Sequence, residues 1–169
     1  MSRIASAGER RLRQYEWQDP QQVSDGIREL PGIDYLRRFI AEGRMAPIQD
    51  TLGFTLDEVS EGSSLWSLTP REWHYNPAGA VQGGVYAALL DAAMAVAIWS
   101  TLPAGVGWTT VELKINILRP MTIDRGPVRC RSNLIHCGRR IGTAEGRISD
   151  AEGRLLAHGT TTCLIVRPD

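Results

Sequence analysis

The sequence is short of the residues that build disulfide frameworks, metal centres and nucleic-acid surfaces. Its three cysteines, Cys130, Cys137 and Cys163, show no CxxC spacing, and of the three histidines only His136 is next to one of them. This arrangement fits no zinc pattern and favours small core thiols in a reducing compartment. The 19 basic and 19 acidic residues cancel, so no overall positive field favours nucleic acid. We therefore expect no metal, no cofactor and no nucleic-acid partner.

Long apolar runs are also scarce. The N-terminus lacks the apolar stretch of a signal peptide. The most pronounced apolar run, residues 83–99, is short for a membrane span and contains Asp91. A chain of 169 residues is long enough to bury a core without disulfides. We therefore expect a cytoplasmic protein that does not enter the membrane.

Two parts of different composition follow one another along the chain. Residues 1–47 are rich in Arg, Gln and Glu, and helically spaced apolar positions within residues 33–40 predict a helix. This part is predicted to be a partly helical extension, and residues 48–169 are predicted to form the main domain. In that domain a loop is predicted at 71–82 and a long helix from about 82–84 to 100. Strands are predicted at 51–60, 63–69, 108–118, 127–137, 141–149 and 155–166.

This order of two strands, a long apolar helix and four strands constrains the architecture. A helix that is apolar nearly all round must be covered nearly all round. One solution is a curved antiparallel sheet wrapped around the helix, which gives an α+β fold. Within residues 108–118 the odd positions 111–117 are apolar and the even positions 110–116 are polar. The alternation predicts that Thr110 lies on a polar face turned to solvent or to another subunit.

The long helix carries an unusual charge. Asp91 is the only formally charged residue between Glu72 and Glu112. Desolvating a carboxylate without a partner is costly, and such groups are enriched at catalytic sites. A structural carboxylate bonded to backbone amides is the alternative interpretation.

Gly83 and Gly84 mark the predicted start of the same helix. Free N–H groups and the positive end of the helix dipole would there favour a carbonyl oxygen gaining negative charge, although glycines at a helix start also serve packing. At about 1.5 Å rise per residue, Asp91 lies about 12 Å along the axis from Gly83. One helix therefore does not easily hold both groups against one reacting atom. Either a long substrate spans them, or the carboxylate comes from another subunit.

Further polar residues flank this helix in the sequence. His74 and Asn76 precede it, where each either hydrogen-bonds a substrate or water or simply shapes the loop. Arg119, Arg139 and Arg140 lie near predicted strand ends. Solvated surface charge and contact with ligand phosphates are both compatible with those positions.

Taken together, residues 74–94 resemble the signature of hotdog-fold acyl-CoA thioesterases of the phenylacetate-degradation (PaaI-like) type. Residues 109–120 resemble the strand that follows in this family, and the resemblance covers about residues 48–167. It implies a hotdog fold, in which a curved antiparallel sheet surrounds one central helix. It also implies a homodimer or a homotetramer built as a dimer of dimers. In such assemblies the Gly83 amide of one subunit would face Asp91 of the other.

The resemblance implies hydrolysis of an acyl-CoA to the free acid and coenzyme A, without a metal or cofactor. Asp91 would act as nucleophile or as the general base for water, and the Gly83 N–H would polarise the thioester carbonyl. Asn76 would orient water or the thioester, and Thr110 would assist from the neighbouring strand. The expected substrate contacts are His74, Gln82, Gly84, Arg119, Arg139 and Arg140.

One position departs from the family pattern, because Gln82 stands where a histidine usually precedes the two glycines. Glutamine exchanges hydrogen bonds but carries no proton at neutral pH. The alternative function is therefore a non-hydrolytic protein that binds an acyl-CoA or acyl-carrier thioester. A hotdog dehydratase ranks lower, because that chemistry generally wants a His–carboxylate pair. The extension either caps the substrate tunnel or enlarges the oligomer interface. The acyl group and the choice between dimer and tetramer stay open.

Overall fold

A computed structural model describes Gly8 and residues 10–168 of the chain. Three helices come first: α1 (Pro20–Val23), α2 (Gly32–Ala41) and α3 (Pro47–Leu52). Two strands, β1 (Phe54–Ser60) and β2 (Ser63–Leu68), precede the long helix α4 (Gly83–Trp99). The remaining strands are β3 (Gly107–Ile117), β4 (Val128–Cys137), β5 (Ile141–Ser149) and β6 (Leu155–Val166). Short 3-10 turns lie at Glu72–His74 and Ile123–Arg125.

The six strands form one antiparallel sheet in the order β1-β2-β4-β5-β6-β3. Helix α4 contacts every strand of this sheet. The predicted α+β architecture, with a sheet wrapped around a central helix, is thereby confirmed. No helix of the described residues is long and apolar enough to cross a membrane.

Two glycines of β5 set how closely the sheet approaches the helix. A Cβ at Gly146 would lie 2.9 Å from Leu90 Cδ2, and one at Gly142 would lie 2.7 Å from Ile98 Cγ2. Both distances are too short for real carbon contacts, so β5 can lie against α4 only without side chains there. The close approach leaves six α4 side chains with no solvent exposure: Leu89, Leu90, Ala93, Met94, Ala97 and Ile98.

The covering of α4 is incomplete in the single chain. Residues 83, 84, 87, 88, 91, 92, 95 and 96 are only half-buried or exposed. Asp91 is therefore half-buried, which corrects the expectation of a carboxylate enclosed on a buried helix. Because α4 is apolar nearly all round, this half-buried side is expected to be covered by another molecule.

The first predicted strand is shorter than expected. Residues 47–52 form α3, which ends at Gly53 in the left-handed conformation (φ 70°), and β1 begins only at Phe54. Pro47 favours this helix, because the first helical position needs no N–H donor. The predicted division of the chain after residue 47 stays a prediction, and α3 runs across it.

Strand β3 also departs from the predicted alternation. Its pairing with β6 shifts register between Thr110 and Glu112, so Val111 forms a bulge and is 58% exposed. A bulge inserts one extra residue and changes which side chains face inward. Trp108 and Thr110 before it, and Leu113 after it, are all half-buried. The prediction that Thr110 lies on the outer polar face is therefore wrong.

The N-terminal extension packs against the end of α4. Helix α2 buries Tyr35, whose ring lies 4.9 Å from that of Trp99. The Gly32 N–H donates to Leu102 O at 2.9 Å. A Cβ at Gly32 would lie 2.0 Å from Trp99 O, so only glycine lets α2 start this close to α4. The extension is thus part of the folded core.

Candidate active site

Asp91 and Thr110 meet between α4 and β3. Thr110 Oγ1 donates a hydrogen bond to Asp91 Oδ1 at 2.9 Å. The β3 bulge makes this contact possible, because it turns Thr110 towards the helix. A hydroxyl bonded to one carboxylate oxygen fixes the rotation of the carboxyl group and leaves the other oxygen available. The two residues predicted to act together are therefore in direct contact.

Cys163 on β6 makes a second, weaker contact with the Thr110 hydroxyl. Its Sγ lies 3.8 Å from Thr110 Oγ1. Burial raises the pKa of the Cys163 thiol, so the sulfur keeps its hydrogen. Since the single hydrogen of Thr110 goes to Asp91, the thiol is the donor in this second contact. Cys163 was predicted only as a core residue, because its pairing with Thr110 depends on the register of β3 and β6 and not on spacing along the chain.

A second cluster lies at the start of α4. Gly83 is the first helical residue, and Gln82 supplies no side-chain cap. The first N–H groups of a helix have no partner within the helix, so the Gly83 amide points its N–H outward at the positive end of the dipole. An open cleft of about 350 Å³ borders it, and its lining includes Asn76, Arg119 and Tyr86.

The side-chain oxygen of Asn76 is hydrogen-bonded within its own loop. Oδ1 accepts from the N–H groups of Ala78 at 2.9 Å and Ala80 at 3.4 Å. This bonding fixes the orientation of the amide, because only the oxygen can accept. The Nδ2 group is therefore the part of Asn76 that can donate to a ligand in the cleft.

Tyr86 lies at the floor of this cleft. Its hydroxyl accepts from Met121 N at 2.5 Å and donates to Arg119 O at 3.2 Å. Burial raises the pKa of Tyr86, which keeps the phenol protonated. The bonds hold the segment after β3 against α4, so Tyr86 shapes the cleft wall that carries Arg119.

His74 is placed differently from its predicted role in substrate binding. The ring is 3% exposed; Nδ1 accepts from Arg71 N at 3.1 Å, and Nε2 lies 2.9 Å from Leu52 O. Since Nδ1 accepts, Nε2 carries the proton and donates to Leu52. Burial lowers the pKa of His74. Both ring nitrogens are engaged by the chain, so the ring ties α3 to the loop before α4 and has none left for a substrate.

Gln82 and Gly84 are exposed beside the cleft. A Cβ at Gly84 would meet nothing within 4 Å, and one at Gly83 would meet only Ile117 Cδ1 at 3.4 Å. Packing within the described chain therefore does not require glycine at position 84. The open space in front of these residues lies where a ligand or another subunit would approach.

The three predicted arginines fall into two groups. Arg119 lines the cleft, and its Nη1 donates to Leu155 O at 2.6 Å. Arg139 and Arg140 are exposed on the turn between β4 and β5. They lie at the Thr110 end of the sheet, because Gly142 pairs with Cys163 and Cys163 pairs with Thr110.

The single chain thus contains two separate half-sites. The carboxylate half-site consists of Asp91 and Thr110. The amide half-site consists of Gly83, Asn76 and Arg119 around the cleft. The two halves are about 12 Å apart along α4 at about 1.5 Å per residue, so one chain does not bring them together. Among the described residues, no group of three or more His, Cys, Asp or Glu could hold a metal.

Comparison with known proteins gives consistent matches. Residues 78–157 match the family model described as thioesterase superfamily. A candidate thioesterase from Ralstonia eutropha JMP134, described as phenylacetic acid degradation-related, is 32% identical. The match covers 77% of this chain and 98% of that chain, with a TM-score of 0.69.

Two further matches extend the comparison. A candidate esterase from Halobacterium salinarum is 29% identical over 129 residues, which are 70% of this chain and 83% of that protein. The PaaI protein from the phenylacetic acid degradation operon of Escherichia coli is 19% identical and has a TM-score of 0.70. That match covers 81% of this chain and 96% of the other, and at this identity it shows the shared fold.

Proposed function

Because the chain belongs to the thioesterase superfamily as a hotdog-fold, PaaI-like thioester hydrolase, we propose that it hydrolyses an acyl-CoA in a site shared by two subunits. The observation that carries this proposal is the split between the carboxylate half-site and the amide half-site. In a two-fold dimer each half-site of one subunit faces the complementary half of the other. The half-buried side of α4 is the surface available for that contact. Assembly into a tetramer and a cytoplasmic location stay predictions.

The proposed reaction uses the two halves together. Asp91, oriented by Thr110, either takes a proton from water that attacks the carbonyl carbon or attacks that carbon itself. The Gly83 N–H stabilises the oxygen as it becomes negative. The carbon–sulfur bond then breaks, the coenzyme A thiolate leaves and takes a proton, and water supplies the second oxygen of the acid. In the direct route, water hydrolyses the intermediate anhydride.

Asn76 and the arginines have supporting roles in this proposal. The Asn76 Nδ2 group donates to the thioester oxygen or to the water, because its Oδ1 is already bonded. Arg119 beside the amide half-site is one candidate partner for coenzyme A phosphates. Arg139 and Arg140 near the carboxylate half-site are the others, because guanidinium groups bind phosphate with paired hydrogen bonds. Gln82 and Gly84 remain expected substrate contacts at the mouth of the cleft.

The first experiment is free-thiol release from short, medium, long and aryl acyl-CoAs, with the wild type and Asp91→Asn. We expect turnover that collapses in the variant, with fold and assembly unchanged. Full activity of Asp91→Asn would refute the assignment.

A matched pair at position 83 isolates the amide donor. Gly83→Pro removes the N–H where proline is tolerated, because Gly83 is the first helical residue and Gln82 is already extended (φ −61°, ψ 139°). Gly83→Ala keeps the N–H and adds only a methyl group. Loss of one oxyanion donor is expected to lower kcat by about 10²–10³-fold. Equal activity of the two variants would contradict the role of the amide.

The second candidate function is thioester binding without hydrolysis, which Gln82 favours because it lacks a titrating proton. Tight acyl-CoA binding without any thiol release across the panel would support it. Gln82→His is then the variant to test for a gain of hydrolysis.

A further inference from the structure

A partly open apolar cavity of about 200 Å³ lies between the N-terminal extension and α4. The extension contributes Val23, Tyr35 and Phe39, and α4 contributes Ala92 and Val96. Its walls are almost entirely apolar carbon. An apolar cavity of about 150 Å³ can bind a benzene molecule and stay dry without it. The cavity is therefore large enough for an organic group.

Among the side chains that line this cavity, Gln49 has a buried donor without a hydrogen-bond partner. Gln49 on α3 is 3% exposed, and among the described residues its Nε2 is a buried nitrogen without a hydrogen-bond partner. The orientation of the amide is fixed, because Oε1 accepts the Ala46 N–H at 2.8 Å. A buried donor left unpaired costs about 1–3 kcal/mol. The cost is removed when a ligand supplies an acceptor.

The cavity adjoins the carboxylate half-site. Ala92 follows Asp91 directly in α4, about 100° further around the helix, and both lie on its half-buried side. Trp99 forms another wall and stacks at 4.2 Å on Trp108, which precedes Thr110 by two residues. A thioester held at Asp91 can therefore extend its acyl chain along α4 into the cavity.

We propose that this cavity binds the acyl group of the substrate and that Gln49 selects an acyl chain with an oxo oxygen. The proposal rests on the proposed thioesterase function. An oxo oxygen accepts a hydrogen bond from Nε2 and has no hydrogen of its own that would require an acceptor. A hydroxyl would bring a hydrogen of its own into walls that offer almost no acceptor. At about 30 Å³ per water-sized group, the cavity holds about six or seven non-hydrogen atoms.

The test compares oxo-octanoyl-CoA thioesters, with the oxo group at successive carbons, against octanoyl-CoA. Gln49→Met removes the donor and keeps the length. The exposed Gln22→Met is the matched control for the same substitution outside the cavity. We expect at least one oxo substrate to have a kcat/KM about tenfold above that of octanoyl-CoA. Gln49→Met should lose the preference, and Gln22→Met should keep it.

A binding measurement separates this proposal from the function on which it rests. Free oxo-octanoic acids are added to the wild type and to Gln49→Met, and the melting temperature is recorded. If no thioester is hydrolysed, the proposed function fails, and a shift confined to the wild type still supports the cavity. If thioesters are hydrolysed without an oxo preference, the thioesterase stands and the role of Gln49 is overturned. The absence of both preference and shift overturns the cavity proposal outright.

Discussion

The contact between the extension and α4 gives a sharp prediction at Gly32. In Gly32→Ala the new Cβ would lie 2.0 Å from Trp99 O and 2.7 Å from Trp99 Cδ1. Neither atom can swing away, because one belongs to the backbone and the other to a buried ring. The start of α2 must retreat, and the Gly32 N–H bond to Leu102 O at 2.9 Å is weakened or lost.

The steric clash and the weakened hydrogen bond both lower the stability of the fold. Overpacking costs about 1–3 kcal/mol, and a lost backbone hydrogen bond adds about 1 kcal/mol. We expect Gly32→Ala to lower the free energy of unfolding by about 2–4 kcal/mol. For a chain of this size each kcal/mol lowers the melting temperature by about 2–4 °C. The expected fall is therefore about 5–15 °C.

Urea and thermal unfolding measure this change, with Gly84→Ala as the matched control. Both glycines lie in the first turn of a helix, but a Cβ at Gly84 meets nothing within 4 Å. The free energy of unfolding of Gly84→Ala should be unchanged or higher by up to about 1 kcal/mol, because alanine favours a helix more than glycine does. If Gly32→Ala unfolds within about 0.5 kcal/mol of the wild type, the docking of the extension described above is wrong.

Three further outcomes are expected. Thr110→Val should lower kcat about 10–100-fold, since a hydrogen bond to a charged group is worth about 1.5–3 kcal/mol, and Thr110→Ser should keep most activity; equal losses would count against the hydroxyl. Gly84→Ala should lose activity at unchanged stability, and full activity would show that nothing approaches that face. The folded-state pKa of His74 lies below 6.5, so between the two pKa values the unfolded chain binds the extra proton. Stability should fall as pH falls through that window, by at most about 1.4 kcal/mol per pH unit, and His74→Gln should flatten this slope.

The sequence predicted α4 closely and β3 only in part. Helix α4 begins at the glycine pair and ends within one residue of the predicted end, because the signals at both ends are local. Thr110 was assigned to the wrong face of the sheet. Polar and apolar residues alternate without a break in the sequence here, but the bulge at Val111 reverses the side to which the residues before it point. A bulge depends on the partner strand β6, which local alternation does not report.

The site shows the same division between local and long-range information. Asp91 and Thr110 are 19 residues apart, and only the family resemblance suggested that they act together. Gln49 was missed, although Pro47 followed two residues later by a glutamine is a local signal for a helix start. The lack of a hydrogen-bond partner for Gln49 Nε2 could not be foreseen, because it depends on which atoms of the extension line the cavity.

A complementation experiment tests the shared site directly. Asp91→Asn destroys the carboxylate half-site and Gly83→Pro destroys the amide half-site, and each variant alone is expected to be inactive. In a mixed dimer one site receives both defects, and the other receives the intact Asp91 of one subunit and the intact Gly83 of its partner. Random mixing at equal amounts makes half of the dimers mixed, each with one intact site of two. About a quarter of the wild-type activity should therefore return after the variants are unfolded and refolded together. If both groups acted within one chain, no mixture would contain an intact site, so the absence of recovery from well-folded mixed dimers would refute the shared site.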